Sequence, residues 1–162
     1  MSEAPAPLIF IIAGEHSGDA LGAKVMAGLK QATGGHVRLA GIGGPEMAAQ
    51  GLQSLFPMRE LAIMGLLEVI PHIPRVLRRI DETVKAIAAA RPDAVLTIDA
   101  PGFCFRVAKK LHGQGIPLVH LVAPTVWAWK PKRAEKIAKF LDHLLVILPF
   151  EPPYFTRHGL ET

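Results

Sequence analysis

Three kinds of feature are scarce in this chain of 162 residues. Cys104 is its only cysteine, so no internal disulfide can form, as expected in a reducing compartment. Aromatic residues make up 6% of the sequence and no RNA- or DNA-reading motif occurs, which argues against nucleic acid as a partner. Charges and prolines interrupt the most apolar region, Leu61 to Leu77, so we expect no membrane-spanning helix.

What the chain does have is enough apolar sequence for a core. Half of its residues are hydrophobic, which predicts one domain over residues 1–162, and the polar start at Met1 to Pro7 gives no secretory signal. The net charge is +4, and many of the basic residues fall into two groups. Each group is either a solvated helix face or a surface for anions. The groups are Arg75, Arg78, Arg79 and Lys85, and Lys130, Lys132, Arg133, Lys136 and Lys139.

Strand-like and helix-like patterns alternate along the chain, which predicts an α/β fold with a doubly wound parallel sheet. Helices are predicted at about 20–31, 46–50, 58–70 and 73–90, and again after Asp99 and after Pro131. A closing segment follows at 151–157. Short apolar runs bounded by turn residues predict the strands. These runs are Leu8–Ala13, Val37–Ile42, Leu52–Phe56, Ala94–Ile98, Ile116–Val122 and His143–Leu148.

The first predicted strand stops abruptly at a polar loop, Gly14-Glu15-His16-Ser17-Gly18-Asp19. Loops at the carboxyl ends of parallel strands are where open α/β sheets place ligands. Gly14 and Gly18 lack a Cβ, so a ligand or another backbone can approach closely. We expect Ser17 or Asp19 to cap the helix that follows. The loop is therefore either a capped turn or part of a binding cleft.

Two further strand ends carry polar chemistry, at Asp99 and in the loop from Pro124 to Arg133. The carboxyl ends of parallel strands share one edge of the sheet, so all three loops are expected to line one cleft. Asp99 directly follows a buried strand and precedes Ala-Pro-Gly. This context suits a turn former, and it equally suits a general base held in a fixed position.

Several motifs in this order resemble the lipid-A-disaccharide synthase family, which are inverting glycosyltransferases of the two-domain GT-B class. The match extends over nearly the whole chain, and its Trp-Ala-Trp and Met-Gly-x-x-Glu-Val segments are the most specific. The matching segments are Ala13–Asp19, Gly41–Met47, Glu60–Val69, Ile98–Phe103, Pro124–Trp129 with Lys132 and Arg133, and Leu148–Glu151.

The resemblance implies a reaction and roles for the loop residues. The family joins UDP-2,3-diacylglucosamine to 2,3-diacylglucosamine 1-phosphate, giving a β-1,6-linked disaccharide and UDP. Asp99 matches the aspartate proposed as the general base, and His16 is a secondary candidate. No cofactor and no metal are implied. The residues implied to bind substrate in the first loop are Gly14, Glu15, Ser17, Gly18 and Asp19.

Lipid substrates also give the apolar and basic segments a role. By resemblance, Met64, Leu66 and Leu67 contact acyl chains or the bilayer, at the cytoplasmic face of the bacterial inner membrane. The alternative for these residues is a core helix. Sugar or phosphate contacts are implied for the second group, and packed indoles with solvated cations are its alternative. This group consists of Trp127, Trp129, Lys132 and Arg133.

The chain differs from the family in length and in one loop. It is much shorter than family members, so the C-terminal domain that binds the UDP-sugar is expected to be absent. We therefore expect the chain to fold, to transfer little by itself and to self-associate through its uncovered cleft. Gly102 and Cys104 stand where relatives often have polar residues, and we expect Cys104 to be packed inside.

Two other functions are compatible with the residues. One is a non-enzymatic module that binds lipid or phosphosugar. The other is a nucleotide-cofactor enzyme on a Rossmann-like sheet, since Gly41-Ile42-Gly43-Gly44-Pro45-Glu46 begins like a dinucleotide fingerprint. Glu46 stands where the third glycine belongs, which weakens the second of these interpretations.

Overall fold

Five parallel strands form one sheet in a computed structural model that describes residues 4–61, 73–127 and 130–162. The strands are β1 (Leu8–Ala13), β2 (Arg38–Ile42), β3 (Ala94–Ile98), β4 (Leu118–Leu121) and β5 (His143–Leu145). The helices are α1 (His16–Ala32), α2 (Pro45–Ala49), α3 (Ile73–Ala90), α4 (Pro101–Leu111), α5 (Lys132–Ala138) and α6 (Pro152–Thr156). The doubly wound parallel α/β fold predicted from the sequence is confirmed.

The order of the strands across the sheet is β2-β1-β3-β4-β5. Strand β1 therefore lies between β2 and β3, with Ile11 paired to Gly41 on one side and to Leu96 on the other. The chain leaves β1 in one direction and continues from β3 in the other. This reversal is the topological switch point at which open α/β sheets bind ligands.

Apolar side chains on the central strands explain why the sheet is covered on both faces. Ile11, Ile12 and Ile98 are fully buried, as expected for strands with no solvent face. Right-handed crossovers place α1 on one face and α4 and α5 on the other. Helix α1 packs with α2, and α3 packs with α4.

Most predicted elements are confirmed, including the bounds of α3 at Ile73–Ala90 and the short helix that begins near Pro45. Helix α3 buries one stripe at three- and four-residue spacing, formed by Val76, Ile80, Thr83 and Ile87. The sequence pattern also predicts Ile73 and Leu77 in this stripe, and that part is wrong because both side chains are exposed. Cys104 is fully buried, as predicted.

Two predicted bounds are wrong by three residues or more, and a third can be followed only in part. Helix α1 begins at His16, four residues before the predicted start, because the backbone amide of Asp19 already donates to the Glu15 carbonyl. Strand β5 ends at Leu145, three residues short of the predicted end. A short helix occupies Met58–Glu60, and the rest of the predicted helix over 58–70 lies beyond Leu61, outside the described residues.

The predicted strand over 52–56 does not form. A single bridge joins Gly41 to Ser54 instead of a ladder. The Gly43 amide donates to the Ser54 side-chain hydroxyl at 3.1 Å, and that hydroxyl donates to the Phe56 carbonyl at 2.6 Å. The Leu55 amide still donates to the Gly41 carbonyl at 2.9 Å, but side-chain bonds of Ser54 take the place of the next main-chain pair that a strand requires.

Candidate functional site

The loop after β1 and the loop after β3 touch at the switch point of the sheet. A Cβ built on Gly14 would lie 2.7 Å from the Cβ of Ala100, closer than two carbon atoms can pack. A Cβ on Gly18 would lie 3.4 Å from the Ile98 carbonyl oxygen. Gly14 therefore allows the Asp99 loop to approach closely through the Ala100 side chain, whereas the contact at Gly18 is of ordinary length.

Backbone strain is concentrated at the same edge of the sheet. Asp99 and Ala100 have φ values of 49° and 41°, and Val122 has a φ of 76°. These left-handed conformations are rare for residues with a Cβ, above all for a β-branched valine. The Asp99 amide donates to the Leu121 carbonyl at 3.0 Å, which fixes the loop. Strain held in this way is typical of functional sites.

Glu15 and Asp99 bring two carboxyl groups together across the touching loops. A hydrogen bond between the two side chains raises the pKa of Glu15, and burial and the like charge of Asp99 raise it further. The Ser17 hydroxyl donates to Glu15 Oε1 at 3.4 Å. Two neighbouring carboxyl groups of this kind share one proton, and a remaining carboxylate oxygen can accept a second proton from a ligand.

A small cavity of about 200 Å³ lies beside this carboxyl pair. It places Ser17 and Gly18 from the first loop next to Asp99, so the structure brings these predicted site residues together. Within the described part of the chain, it is lined by Ser17, Gly18, Leu21, Ile98, Asp99, Val122 and Ile147. His16 is exposed in the first turn of α1.

Asp19 is buried and does not cap its own helix, which corrects the prediction made from the sequence. The N-cap of α1 is Glu15, with no side-chain cap bond. The Asp19 carboxylate instead accepts from the amides of Gly44 at 2.8 Å, Met47 at 3.0 Å and Glu46 at 3.0 Å. Because it holds the start of α2, any effect on the cleft is indirect.

The same bonds bear on the dinucleotide-binding alternative. In a nucleotide-binding loop, the amides at the start of the helix are free to bind phosphate oxygens. Here a carboxylate already occupies the amides of Gly44, Glu46 and Met47, and Ser54 occupies that of Gly43. The turn after β2 is therefore a closed structural turn, which argues against this alternative.

The third strand end carries an exposed apolar cluster. The Trp127 side chain is 43% exposed and its ring packs edge-on against that of Phe150, with centroids 5.4 Å apart. This exposure excludes the alternative in which the Trp127 indole is packed inside. Trp129 lies outside the described residues, as do Met64, Leu66 and Leu67. Leu145, Ile147 and Leu148, close to Phe150 in the chain, are exposed as well, and these five residues are called the apolar cluster below.

Lys132 and Arg133 line a different cavity, a groove of about 650 Å³ between α4 and α5. Sequence reasoning identified the cations of α5 but missed Arg106 and Lys109, which face them from α4. The spacing of Arg106 and Lys109, three residues apart on one helix, was the available signal. The described residues that line it are Pro101, Gly102, Phe105, Arg106, Lys109, Lys130, Pro131, Lys132, Arg133, Lys136, Ile137 and Phe140.

A buried polar pair on β3 and β4 was also missed. The Thr97 hydroxyl lies 2.6 Å from His120 Nδ1, and both residues are buried two positions before the strained Asp99 and Val122. Burial lowers the pKa of His120 to about 4, against a smaller opposing effect of the Asp99 charge. His120 is therefore a neutral imidazole that joins β3 to β4 just before their strained carboxyl ends.

The described residues include neither a metal-binding group nor a membrane-spanning helix. No three His, Cys, Asp or Glu side chains of 4–61, 73–127 and 130–162 are grouped so as to hold a metal ion. Within the same ranges, no helix combines the length and apolar character needed to cross a bilayer.

Comparison with known proteins identifies the family. A family model described as lipid-A-disaccharide synthetase matches residues 9–162. The lipid-A-disaccharide synthase of Rhodospirillum centenum is 62% identical over 155 residues, which cover 94% of this chain and 39% of the relative. The enzyme of the same name from Paramagnetospirillum magneticum is 52% identical over 157 residues, covering 96% of this chain and 40% of the relative.

The chain thus spans less than half the length of these relatives. The five-stranded parallel sheet and the family match both agree with the prediction of a Rossmann-like GT-B glycosyltransferase domain. On this evidence, the chain belongs to the lipid-A-disaccharide synthetase family.

Proposed function

We propose that this chain is the acceptor-side part of an inverting glycosyltransferase of lipid A biosynthesis. The enzyme would transfer 2,3-diacylglucosamine from UDP to 2,3-diacylglucosamine 1-phosphate and form a β-1,6 linkage. Family membership and a carboxyl pair at the switch point of the sheet support this proposal. The observation that carries it is the strained Asp99, held at the end of a buried strand next to a cavity.

Asp99 is proposed as the general base. Inversion in a single displacement forms a bond from the acceptor 6-hydroxyl oxygen to the anomeric carbon as the bond from that carbon to UDP breaks. The hydroxyl proton passes to a carboxylate on the acceptor side, and fixed alignment of that carboxylate supplies much of the rate. The bond from the Asp99 amide to the Leu121 carbonyl fixes the backbone that carries this carboxylate. His16, exposed beside this pair in the chain, remains a secondary candidate.

The exposed apolar cluster provides a surface for acyl chains. Ile147 belongs both to this cluster and to the cavity beside Asp99, so apolar surface continues directly from the proposed base. Acyl chains are favoured there because each buried methylene contributes about 0.8 kcal/mol. The roles of Met64, Leu66 and Leu67 as lipid contacts remain predictions.

The remaining parts of the proposal concern what accompanies this chain. We propose that the UDP-sugar is bound by a C-terminal domain corresponding to the unmatched part of the relatives, and that 1–162 alone is one domain with little transfer activity. The enzyme would act at the cytoplasmic face of the inner membrane without a metal or cofactor. Self-association through the apolar cluster would cover it when that domain is missing.

The test is the Asp99→Asn substitution in a fusion of this chain to the unmatched remainder of the Rhodospirillum centenum synthase. Asparagine keeps the size of the side chain and tolerates the left-handed backbone of Asp99. We expect disaccharide formation to fall by about two to four orders of magnitude, because a general base is lost. Binding of the acceptor, measured by titration, should be retained.

The matched control is Asp142→Asn, which changes a carboxylate that accepts from the Leu118 amide at the opposite end of the sheet. Transfer by this control should be close to that of the unmodified fusion. Equal transfer by the Asp99→Asn fusion would contradict the proposed base. Acceptor binding without transfer by any fusion would favour the non-enzymatic alternative, a module that binds lipid or phosphosugar.

A further inference from the structure

The groove between α4 and α5 combines an apolar floor with a cationic rim. Phe105, Ile137 and Phe140 are buried side chains that form its floor. Among the residues that the structure describes, none of those lining the groove is acidic. Its volume of about 650 Å³ is within the ordinary range for small-molecule sites. Six cations line its rim, namely Arg106, Lys109, Lys130, Lys132, Arg133 and Lys136.

The aromatic rings of the floor hold two of these cations at the rim. Lys109 Nζ lies 5.2 Å from the centroid of the Phe140 ring, and Arg133 Cζ lies 6.0 Å from that of Phe105. Both side chains therefore cover apolar surface with their stems and keep their charges above it. The groove is thus polar at its rim and apolar beneath.

The rim charges lack anionic partners among the residues that the structure describes. None of the six cations lies within 4.0 Å of an acidic oxygen there, whereas neighbouring cations are paired. Lys110, also on α4, forms a bridge to Asp81 at 2.5 Å. Six like charges around one apolar groove repel one another, so an anion bound among them is strongly favoured.

The position of the groove links it to the proposed base. One end of the groove, called the mouth below, is lined by Pro101 and Gly102. These residues follow Asp99 by two and three positions at the start of α4. Two residues of chain span at most about 7 Å, and the start of a helix favours negative charge. From there the groove follows α4 to Lys109, a distance of about 12 Å at the rise of a helix.

We infer that the groove between α4 and α5 binds the phosphate of an acylated phosphosugar and lays part of its apolar portion on the aromatic floor. The phosphate would lie at the mouth, so that the attached sugar reaches Asp99. This inference rests on the proposed function for the identity of the sugar. The rim and the floor by themselves indicate an anionic group joined to an apolar one, and the proposed function makes that group a phosphate monoester on a hydrocarbon chain.

The test measures binding of dodecyl phosphate, below its micelle concentration, to this chain by isothermal titration calorimetry. Arg106→Gln with Lys136→Gln removes one cation from each wall of the groove. We expect binding to weaken about tenfold or more, because charge-assisted hydrogen bonds to phosphate are among the strong ones. Lys24→Gln with Lys85→Gln removes the same charge from exposed positions on α1 and α3, and should change binding less than about twofold.

Two results would overturn the inference. One is equal weakening by the groove pair and the control pair, which would mean that only net charge matters. The other is unchanged binding of dodecyl phosphate by the groove pair together with lost binding to vesicles of phosphatidylglycerol and phosphatidylcholine, which would make the groove a membrane contact. Circular dichroism checks that both pairs fold, as expected for substitutions at exposed positions.

The outcome is independent of the Asp99 experiment. Loss of transfer in the Asp99→Asn fusion, with unchanged dodecyl phosphate binding by the groove pair, would refute the groove and keep the proposed function. If the groove pair weakens dodecyl phosphate binding while the Asp99→Asn fusion transfers fully, the groove is supported and Asp99 is not the general base.

Discussion

The carboxyl groups of Glu15 and Asp99 are neighbours across the loops after β1 and β3, at the point where the strand order reverses. Hydrogen bonding to Asp99 favours the protonated form of Glu15 and raises its pKa, with further contributions from partial loss of solvent and from the charge of Asp99. One proton therefore stabilises the pair, and full ionisation of both groups costs stability.

Glu15→Gln should raise the stability of the protein at neutral pH. A carboxyl group whose folded pKa is raised stabilises the fold below its unfolded pKa, and that contribution is lost as the pH rises through the folded value. Glutamine keeps a hydrogen-bond donor toward Asp99 without the charge. Because Glu15 is exposed, we expect a gain below about 1 kcal/mol, measured by urea denaturation.

The gain from Glu15→Gln should disappear in acid, where the unmodified pair already carries its proton. Denaturation at about pH 4 and about pH 7.5 gives the comparison. Glu46→Gln, at an exposed position in α2, is the control for a lost surface carboxylate. A gain of equal size at both pH values would contradict the shared proton.

The contact between Gly14 and Ala100 makes a second prediction. Gly14→Ala places a Cβ 2.7 Å from that of Ala100, and overpacking of this kind costs about 1–3 kcal/mol. Ala100→Gly removes the opposing Cβ and relieves the left-handed backbone at φ 41°. The double variant should therefore be more stable than Gly14→Ala alone.

A double-mutant cycle measures this coupling by urea denaturation. We expect a favourable interaction energy of about 1 kcal/mol or more, as is usual for residues in direct contact. Gly28→Ala is the matched control, because a Cβ on Gly28 meets no atom within 4 Å. Additive effects of Gly14→Ala and Ala100→Gly would mean that the two loops move apart easily.

Patterns local in sequence predicted much of this fold. The three- and four-residue spacing in α3 gave its bounds, since one apolar stripe had to face the core. The position of Asp99 at a strand end followed from the short apolar run before it. Both predictions needed only neighbouring residues, which is why they hold.

Contacts between distant segments were not predictable in the same way. The Asp19 carboxylate has the spacing of a helix cap, yet it bonds to amides of Gly44, Glu46 and Met47 more than 20 residues away. The groove also needs two helices, one carrying Arg106 and the other Lys136. Each helix by itself has an ordinary solvated face, and only the sheet order brings the two faces together.

Removing the charge of Asp19 tests its role in the fold. Asp19→Asn converts an acceptor-only group into an amide whose nitrogen cannot accept from the backbone. The residue is 1% exposed, so at least one buried amide loses its partner. We expect a loss of about 2–3 kcal/mol in the free energy of unfolding.

The control for Asp19→Asn is Asp93→Asn, whose carboxylate accepts one bond from the Leu8 amide at 2.7 Å and is exposed. Its loss should be smaller, about 1 kcal/mol. Equal losses in the two variants would show that the bonds to α2 contribute no more than an ordinary surface bond.

His120 should make the stability of the protein depend on pH. Its pKa is about 4 in the folded chain, against an ordinary value of 6.5, so the unfolded chain binds a proton first as the pH falls. Stability is then lost from about pH 6.5 downward, by about 3 kcal/mol at pH 4.

His120→Asn keeps a group that can bond to Thr97 and removes the titration. It should lower stability at neutral pH by about 2 kcal/mol, through lost packing, and flatten the decline between pH 6.5 and 4. Urea denaturation across this range measures both effects, with the exposed His36→Asn as control. A decline as steep in His120→Asn as in the unmodified chain would mean that other groups cause it and that the pKa of His120 is not lowered by folding.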